Sequence, residues 1–146
     1  MESHSPSVIE LFNTSDQKIP VNQQDLNQAA GLLASQENVS FTLVEVVYVD
    51  EDEIININQE YLDRNYVTDI ISFSYHEEGD DIEGTLYCCA PRIEEQAREL
   101  DEDLKKEYMR IFFHGLLHLT GYGDQTEQDK EQMTELENNY LTQSGF

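Results

Sequence analysis

A chain of 146 residues has the size of one domain and can bury about two thirds of the surface its unfolded form exposes. Its 31 acidic and 8 basic residues give a formal net charge of −23, so composition alone argues against a nucleic-acid partner, which is held mainly through Lys and Arg. No apolar run reaches the roughly eighteen residues of a transmembrane helix, and Met1-Glu2-Ser3-His4 lacks the basic and apolar regions of a signal peptide, which points to a cytoplasmic protein.

Residues 1–6 are expected to form a disordered tail. Ser7 to Phe12 reads as a first short strand and Asn13 to Gln17 as a turn. From Asp25 the spacing of Leu26, Ala29, Ala30 and Leu33 predicts an amphipathic helix to about Gln36. Val39 to Val49 alternates in the manner of a half-buried strand, with Val39, Phe41 and Leu43 and then Glu45, Val47 and Val49 in phase. Asp50 and Glu53 form a D-x-x-E helix start, and Ile54, Ile55, Ile57, Asn58 and Tyr61 carry the helix to about Arg64. Asp69 to Tyr75 is a short apolar strand that ends at the acidic loop His76 to Asp81, and Ile82 to Ala90 is its hairpin partner. Cys88 and Cys89 fall at the end of that partner. As strand neighbours they point to opposite faces, so they are expected to be buried reduced thiols, neither a redox pair nor joint ligands of one metal.

Pro91 opens the next helix, at a position where its missing N–H costs little, and Ile93, Ala97 and Leu100 give that helix an apolar stripe. Asp101 to Asp103 interrupts it, and a long helix runs from about Leu104 through Leu119. Thr126 and Asp129 fit a T-x-x-D start for a last helix, in which Met133, Leu136 and Tyr140 recur at helical spacing. With no repeat or linker, residues 1–146 are expected to form a single α/β (α+β) layered domain, a mixed sheet of about four strands packed with helices.

The chemistry concentrates at the end of the long helix. His114 and His118, four residues apart, project from one face one turn apart. Gly121 lets the helix end in a left-handed turn, and Asp124 follows three residues later, so the chain can bring a carboxylate back to the two imidazoles. Two neutral nitrogens and one anionic oxygen suit zinc, with a fourth position left for water. An HxxxH pair alone is more often an ordinary surface or core feature. Here Phe112, Phe113, Leu116, Leu117 and Leu119 make the helix apolar nearly all round, and imidazoles in a buried helix need partners that a metal would supply. Such an ion lowers the pKa of its bound water from about 15.7 to near 7, which makes metal-bound water the expected nucleophile of a hydrolysis. Zinc peptidases of the H-E-x-x-H type carry their general base directly after the first histidine. Gly115 stands there, which disfavours peptidase chemistry and leaves phosphodiester cleavage open.

The run His114-Gly115-Leu116-Leu117-His118-Leu119-Thr120-Gly121-Tyr122-Gly123-Asp124 resembles the H-G-x-L-H-L-x-G-Y-D-H signature of the YbeY family, metal-dependent endoribonucleases of bacterial ribosomal RNA maturation. Asn58-Gln59-Glu60-Tyr61 and Thr68-Asp69-Ile70-Ile71-Ser72-Phe73 resemble that family's N-x-x-Y-R and P-T-D-V-L-S-F segments, and the likeness spans roughly residues 40 to 142. It implies a hydrolase of single-stranded RNA with one zinc or other divalent ion held by His114, His118 and Asp124, and with RNA and the ribosome as partners. The departures fall at the site. Asp124 stands where the family usually has histidine, which lowers the net charge there by one, and Gly123 stands where it usually has aspartate. Leu62 replaces the family's arginine, and Arg64, two residues on, is the candidate for phosphate contact. Val67 and Ser74 replace prolines. Thr68 and Asp69 are candidates to orient a ligand or close the cleft, and as readily an ordinary strand cap.

For RNA to bind, the basic residues Arg64, Arg92, Arg98, Lys105, Lys106 and Arg110 must gather near the cleft, or divalent cations or a partner protein must offset the repulsion. Lys105, Lys106 and Arg110 read more readily as a solvated helical face. His76 is expected to be solvated in the acidic loop, and His4 lies in the tail. Two other functions stay open: a metallohydrolase of a peptide or small molecule, which the acidic composition favours, and a ribosome assembly factor whose metal is structural, which Leu62 permits.

Overall fold

In the computed structural model, which describes residues 8–146, the elements are β1 (Ile9–Asn13), α1 (Gln23–Glu37), β2 (Phe41–Val49), α2 (Glu51–Leu62), β3 (Ile70–Ser74), β4 (Ile82–Cys89), α3 (Ala90–Glu99), α4 (Leu104–Leu119) and α5 (Glu127–Gln143). The expected tail, His4 and the first residue of the expected first strand lie outside the described residues. The four strands form one mixed sheet in the order β1-β2-β4-β3, an α/β arrangement as the sequence predicts. β1 and β4 run parallel to β2, Ile9 opposite Val44 and Val46 opposite Leu86. β3 closes the other edge as the antiparallel hairpin partner of β4, Ile70 opposite Cys88 and Ser74 opposite Gly84.

β2 is one of the two inner strands and has apolar residues on both faces, as a strand between two parallel neighbours tends to. Val44, Val46 and Tyr48 face the main core, while Val49 joins Ile54, Ile71 and Cys89 in a smaller cluster on the opposite face, with Val47 packed against it. The alternation expected from sequence is therefore out of phase with the core. A register shift between Phe41 and Leu43 puts the even-numbered residues of the strand's second half on the core side. Cys88 and Cys89 are buried free thiols on opposite faces, as predicted.

Helix boundaries follow local chemistry. α1 starts two residues before the expected position because Asn22 caps it: the Asn22 side chain accepts from the Asp25 N–H, and the Asp25 carboxylate accepts from the Asn22 N–H. α2 starts where expected, but its D-x-x-E pair makes no cap. The Asp50 carboxylate accepts the Asp16 N–H and the Glu53 carboxylate accepts the Thr14 hydroxyl, so both pin the turn after β1. α2 ends at Leu62, because Asp63 turns left-handed with φ 55°. Leu100, expected in the buried stripe of α3, is the helix's C-cap and lies 60 % exposed, while Ile93 and Ala97 are buried. α5 opens as the T-x-x-D pattern predicts, with the Thr126 hydroxyl accepting the Asp129 N–H.

α4 is the centre of the molecule. Ten of its sixteen residues are buried, which matches the prediction of a helix apolar nearly all round, and α1, α3, α5 and the sheet pack about it. Gly115 allows its close approach to the sheet: a Cβ there would sit 2.8 Å from both Ile70 Cδ1 and Leu86 Cδ1. On the other side Phe113 stacks on Tyr140 of α5, ring centres 5.4 Å apart, which fixes α5 against the helix. No helix among the described residues is long and apolar enough to cross a membrane.

Candidate metal centre

The end of α4 is a Schellman turn. The Tyr122 N–H donates to the Leu117 carbonyl at 3.0 Å and the Gly121 N–H to the His118 carbonyl at 3.0 Å, and Gly121 adopts φ 113°, which a side chain would strain. This reversal carries Asp124 back over the face that bears the histidines. His114 Nε2 and His118 Nε2 lie 3.0 Å apart, and Asp124 Oδ2 is 3.6 Å from the first and 3.4 Å from the second. The three side chains were singled out from sequence, and the fold brings all three together.

Both rings are held through their other nitrogen. His114 Nδ1 is 2.6 Å from a carboxylate oxygen of Glu137 on α5, and His118 Nδ1 is 2.9 Å from the Tyr122 carbonyl. Each Nδ1 faces an acceptor and therefore carries the proton, so each Nε2 presents a lone pair to the same point. Two lone pairs and a carboxylate oxygen at these separations repel one another unless a cation or proton lies among them. The spacing suits a cation. A tetrahedral ion with bonds of about 2.0–2.1 Å sets its ligands roughly 3.3–3.4 Å apart, within the observed 3.0–3.6 Å. The donor set, two imidazoles and a carboxylate with each ring anchored behind, fits zinc or a similar divalent ion.

Residues that sequence reasoning missed supply these anchors. Glu137 is buried on the stripe of α5 formed by Met133, Tyr140 and Leu141, and its other oxygen lies 3.7 Å from an Arg110 nitrogen. A glutamate in an apolar stripe was the available signal. Burial alone would lower the His114 pKa, but the hydrogen bond and charge of Glu137, joined by the charges of Asp69 and Asp124, raise it above the ordinary histidine value. Tyr122 is fixed in turn by its hydroxyl, which donates to Glu37 at 2.7 Å, and the Tyr140 hydroxyl donates to the other oxygen of the same carboxylate. The turn that orients His118 is thus tied to both α1 and α5.

The other expected site residues divide. Asp69 is half-buried at the start of β3, where its carbonyl accepts the Cys89 N–H at 2.8 Å, and its charge reaches His114. Arg64 and Thr68 lie elsewhere, lining a small cavity of about 190 Å³ with Asn58, Leu62, Tyr66 and Ser72. His76 stays partly exposed in the acidic loop, with one ring nitrogen engaged. Its Nδ1 is 3.0 Å from the Ser74 hydroxyl and 3.2 Å from the Glu83 carbonyl, and it lines, with His118, Thr120 and Gly121, a cleft of about 690 Å³ on the acidic-loop side of the cluster. Four cations proposed to gather near the cleft are spent on neighbouring carboxylates: Arg92 on Glu95 and Glu99, Lys105 on Asp25, Lys106 on Glu102, and Arg110 on Glu107 and Glu137. Thus Lys105, Lys106 and Arg110 are paired, and not simply solvated.

A mixed four-stranded sheet carrying a buried helix, with two imidazoles and a carboxylate converging at its end, defines an α/β domain with a donor group that could hold a metal ion. The model of the family described as endoribonuclease YbeY matches residues 11–145. The chain belongs to this family of hydrolases. Among relatives named endoribonuclease YbeY, that of Chlorobium luteolum is 35 % identical over 92 % of this chain and 96 % of its own length, and that of Francisella tularensis subsp. novicida is 33 % identical over 94 % and 89 %. The solution structure of TM1509 from Thermotoga maritima superposes with a TM-score of 0.64 at 27 % identity, covering 93 % of this chain and 88 % of that one.

Proposed function

We propose that this chain is a metal-dependent endoribonuclease that cleaves phosphodiester bonds of single-stranded RNA in ribosomal RNA maturation, a cytoplasmic task, with zinc as its ion and His114, His118 and Asp124 as the ligands. The observation that carries the proposal is the meeting of His114 Nε2, His118 Nε2 and Asp124 Oδ2 within 3.6 Å of one another. Family membership supplies the substrate class. An ion held there supplies Lewis acidity for a phosphoryl oxygen and acidifies water at neutral pH.

The chain's own groups set the geometry. Glu137 and the Tyr122 carbonyl hold the imidazoles with Nε2 forward, and Asp124, half-buried in the turn, adds the negative charge. Arg64 is the proposed phosphate contact, with Thr68 beside it in the same cavity. With a net charge of −23, affinity for RNA depends on few protein cations, so divalent ions in solution strengthen binding. Cleavage of a labelled single-stranded RNA, measured with and without a chelator and beside His118→Ala, tests the proposal. Loss of cutting in both, with recovery on adding Zn²⁺ to the chelated protein, supports it. Cutting that survives chelation refutes it, and a bound ion with no cutting assigns the metal a structural role.

A further inference from the structure

Resting on the endoribonuclease reading, we propose that the cavity between the end of α2 and the edge strand β3 holds one nucleotide of the RNA next to the scissile bond. Three features of that cavity point to a nucleotide. Asn58 lines it and is 1 % exposed. Its amide nitrogen donates to the Tyr66 carbonyl at 2.9 Å, while its buried Oδ1 has no hydrogen-bond partner among the described residues. A buried acceptor left unmet is costly, and a base N–H or a ribose hydroxyl supplies the missing donor. Arg64 lines the same cavity and, like Lys18, Arg98 and Lys130, has no carboxylate partner among the described residues, whereas Arg92, Lys105, Lys106 and Arg110 each have one. In a chain with 31 acidic residues, a cation left unpaired in a cavity is placed for an outside anion, here a backbone phosphate. Tyr66, 52 % exposed, offers a ring at the same wall on which a base can stack.

The cavity and the metal cluster share a wall. Ile70 lines the cavity, and its Cδ1 is the atom a Cβ on Gly115 would meet, one residue from His114. Beyond it Ser72 lines the cavity and Ser74 the cleft beside His118, so β3 joins the two. A strand of RNA lying along β3 spans from the nucleotide in the cavity to the phosphate at the cluster.

The test is fluorescence anisotropy of a labelled single-stranded RNA of about 10 nucleotides, a length that spans such a groove, titrated with the full chain carrying His118→Asn to prevent cutting. Added to that chain, Tyr66→Ala is expected to weaken binding about tenfold, the loss of one stacked base. Arg64→Gln is expected to weaken it and to flatten the slope of log affinity against log salt by about 0.7, the loss of one phosphate contact on a single strand. Tyr75→Ala, which removes a ring that is 59 % exposed but outside the cavity, is expected to leave binding unchanged. Both affected side chains are exposed, and circular dichroism checks that their variants fold. If the unsubstituted chain cuts RNA while Tyr66→Ala and Arg64→Gln bind as tightly as their parent, or if Tyr75→Ala loses as much as Tyr66→Ala, the subsite is refuted and the enzyme stands. If the unsubstituted chain neither binds nor cuts RNA, the endoribonuclease reading fails and the subsite with it.

Discussion

Glu137 gives the sharpest test of how the site is built, because it acts on metal binding without being a ligand. Its carboxylate lies 2.6 Å from His114 Nδ1, and the Glu137 side chain is only 10 % exposed, so water does not readily take its place. Glu137→Gln keeps the shape and removes the charge. Loss of a carboxylate behind a metal-binding histidine costs about 10–100-fold in affinity, roughly 1.4–2.7 kcal/mol. The proton works in the opposite direction. The same carboxylate raises the His114 pKa, so in the metal-free protein the imidazolium pair stabilises the fold fully below the unfolded histidine value near 6.5, and that contribution is lost as pH rises through the higher folded value. Metal has to displace this proton. The full deficit of Glu137→Gln is therefore expected above the folded His114 pKa, and it narrows as pH falls and the wild type pays more for deprotonation. Zn²⁺ affinity measured by chelator competition at several pH values checks both parts. Equal affinity of wild type and variant at the alkaline end of the range, or a gap that widens towards acid, would refute this account of Glu137.

Asp124→His replaces a carboxylate whose side chain is 41 % exposed and raises the charge at the cluster by one, so the acidic limb of the pH profile of RNA cleavage is expected to move to lower pH with little change in melting temperature. Gly84→Ala places a Cβ 2.6 Å from the Phe73 carbonyl oxygen and 2.7 Å from Leu119 Cδ2; the backbone oxygen cannot retreat, and a loss of about 1–3 kcal/mol is expected, seen as a melting temperature lower by several degrees. Burial pushes the Cys89 thiol up to about 11, and it raises that of Cys88 as well. Both thiols are therefore expected to resist a disulfide reagent at pH 8 in the folded protein and to react at once in denaturant, whereas rapid labelling of the native chain would contradict their burial.

The ligand triad was legible because it is local. His114, His118, Gly121 and Asp124 lie within eleven residues, and the helix period and one left-handed glycine fix where their side chains go. Glu137 escaped because its contact spans 23 residues of sequence and depends on how α5 docks, although its place among Met133, Tyr140 and Leu141 marked it as a buried charge in need of a partner. The core phase of β2 was illegible for a different reason. When both faces of a strand are buried, alternation no longer tells one from the other, and a bulge near Phe41 shifts the phase without any change in composition. The pairing of the cations was hidden as well. Lys105 meets Asp25 across 80 residues, and nothing in the helix that carries Lys105 distinguishes it from a solvated lysine.

Gly115 links the packing of α4 to the choice of reaction. In an H-E-x-x-H helix the residue after the first histidine lends a carboxylate to the cleft, but here that position points at the sheet, and any side chain on it meets Ile70 and Leu86 first. A glutamate at 115 would therefore disturb the core without reaching the reacting atoms. In the proposed hydrolysis the proton of the attacking water therefore goes elsewhere. The carboxylates that raise the His114 pKa are Glu137, Asp69 and Asp124. Glu137 is committed to Nδ1 and Asp124 to the cluster, whereas the side chain of Asp69 is engaged only by the Thr68 hydroxyl at 3.5 Å among the described residues. Asp69, fixed by its backbone at the start of β3, is the one of the three that neither anchors an imidazole nor joins the cluster.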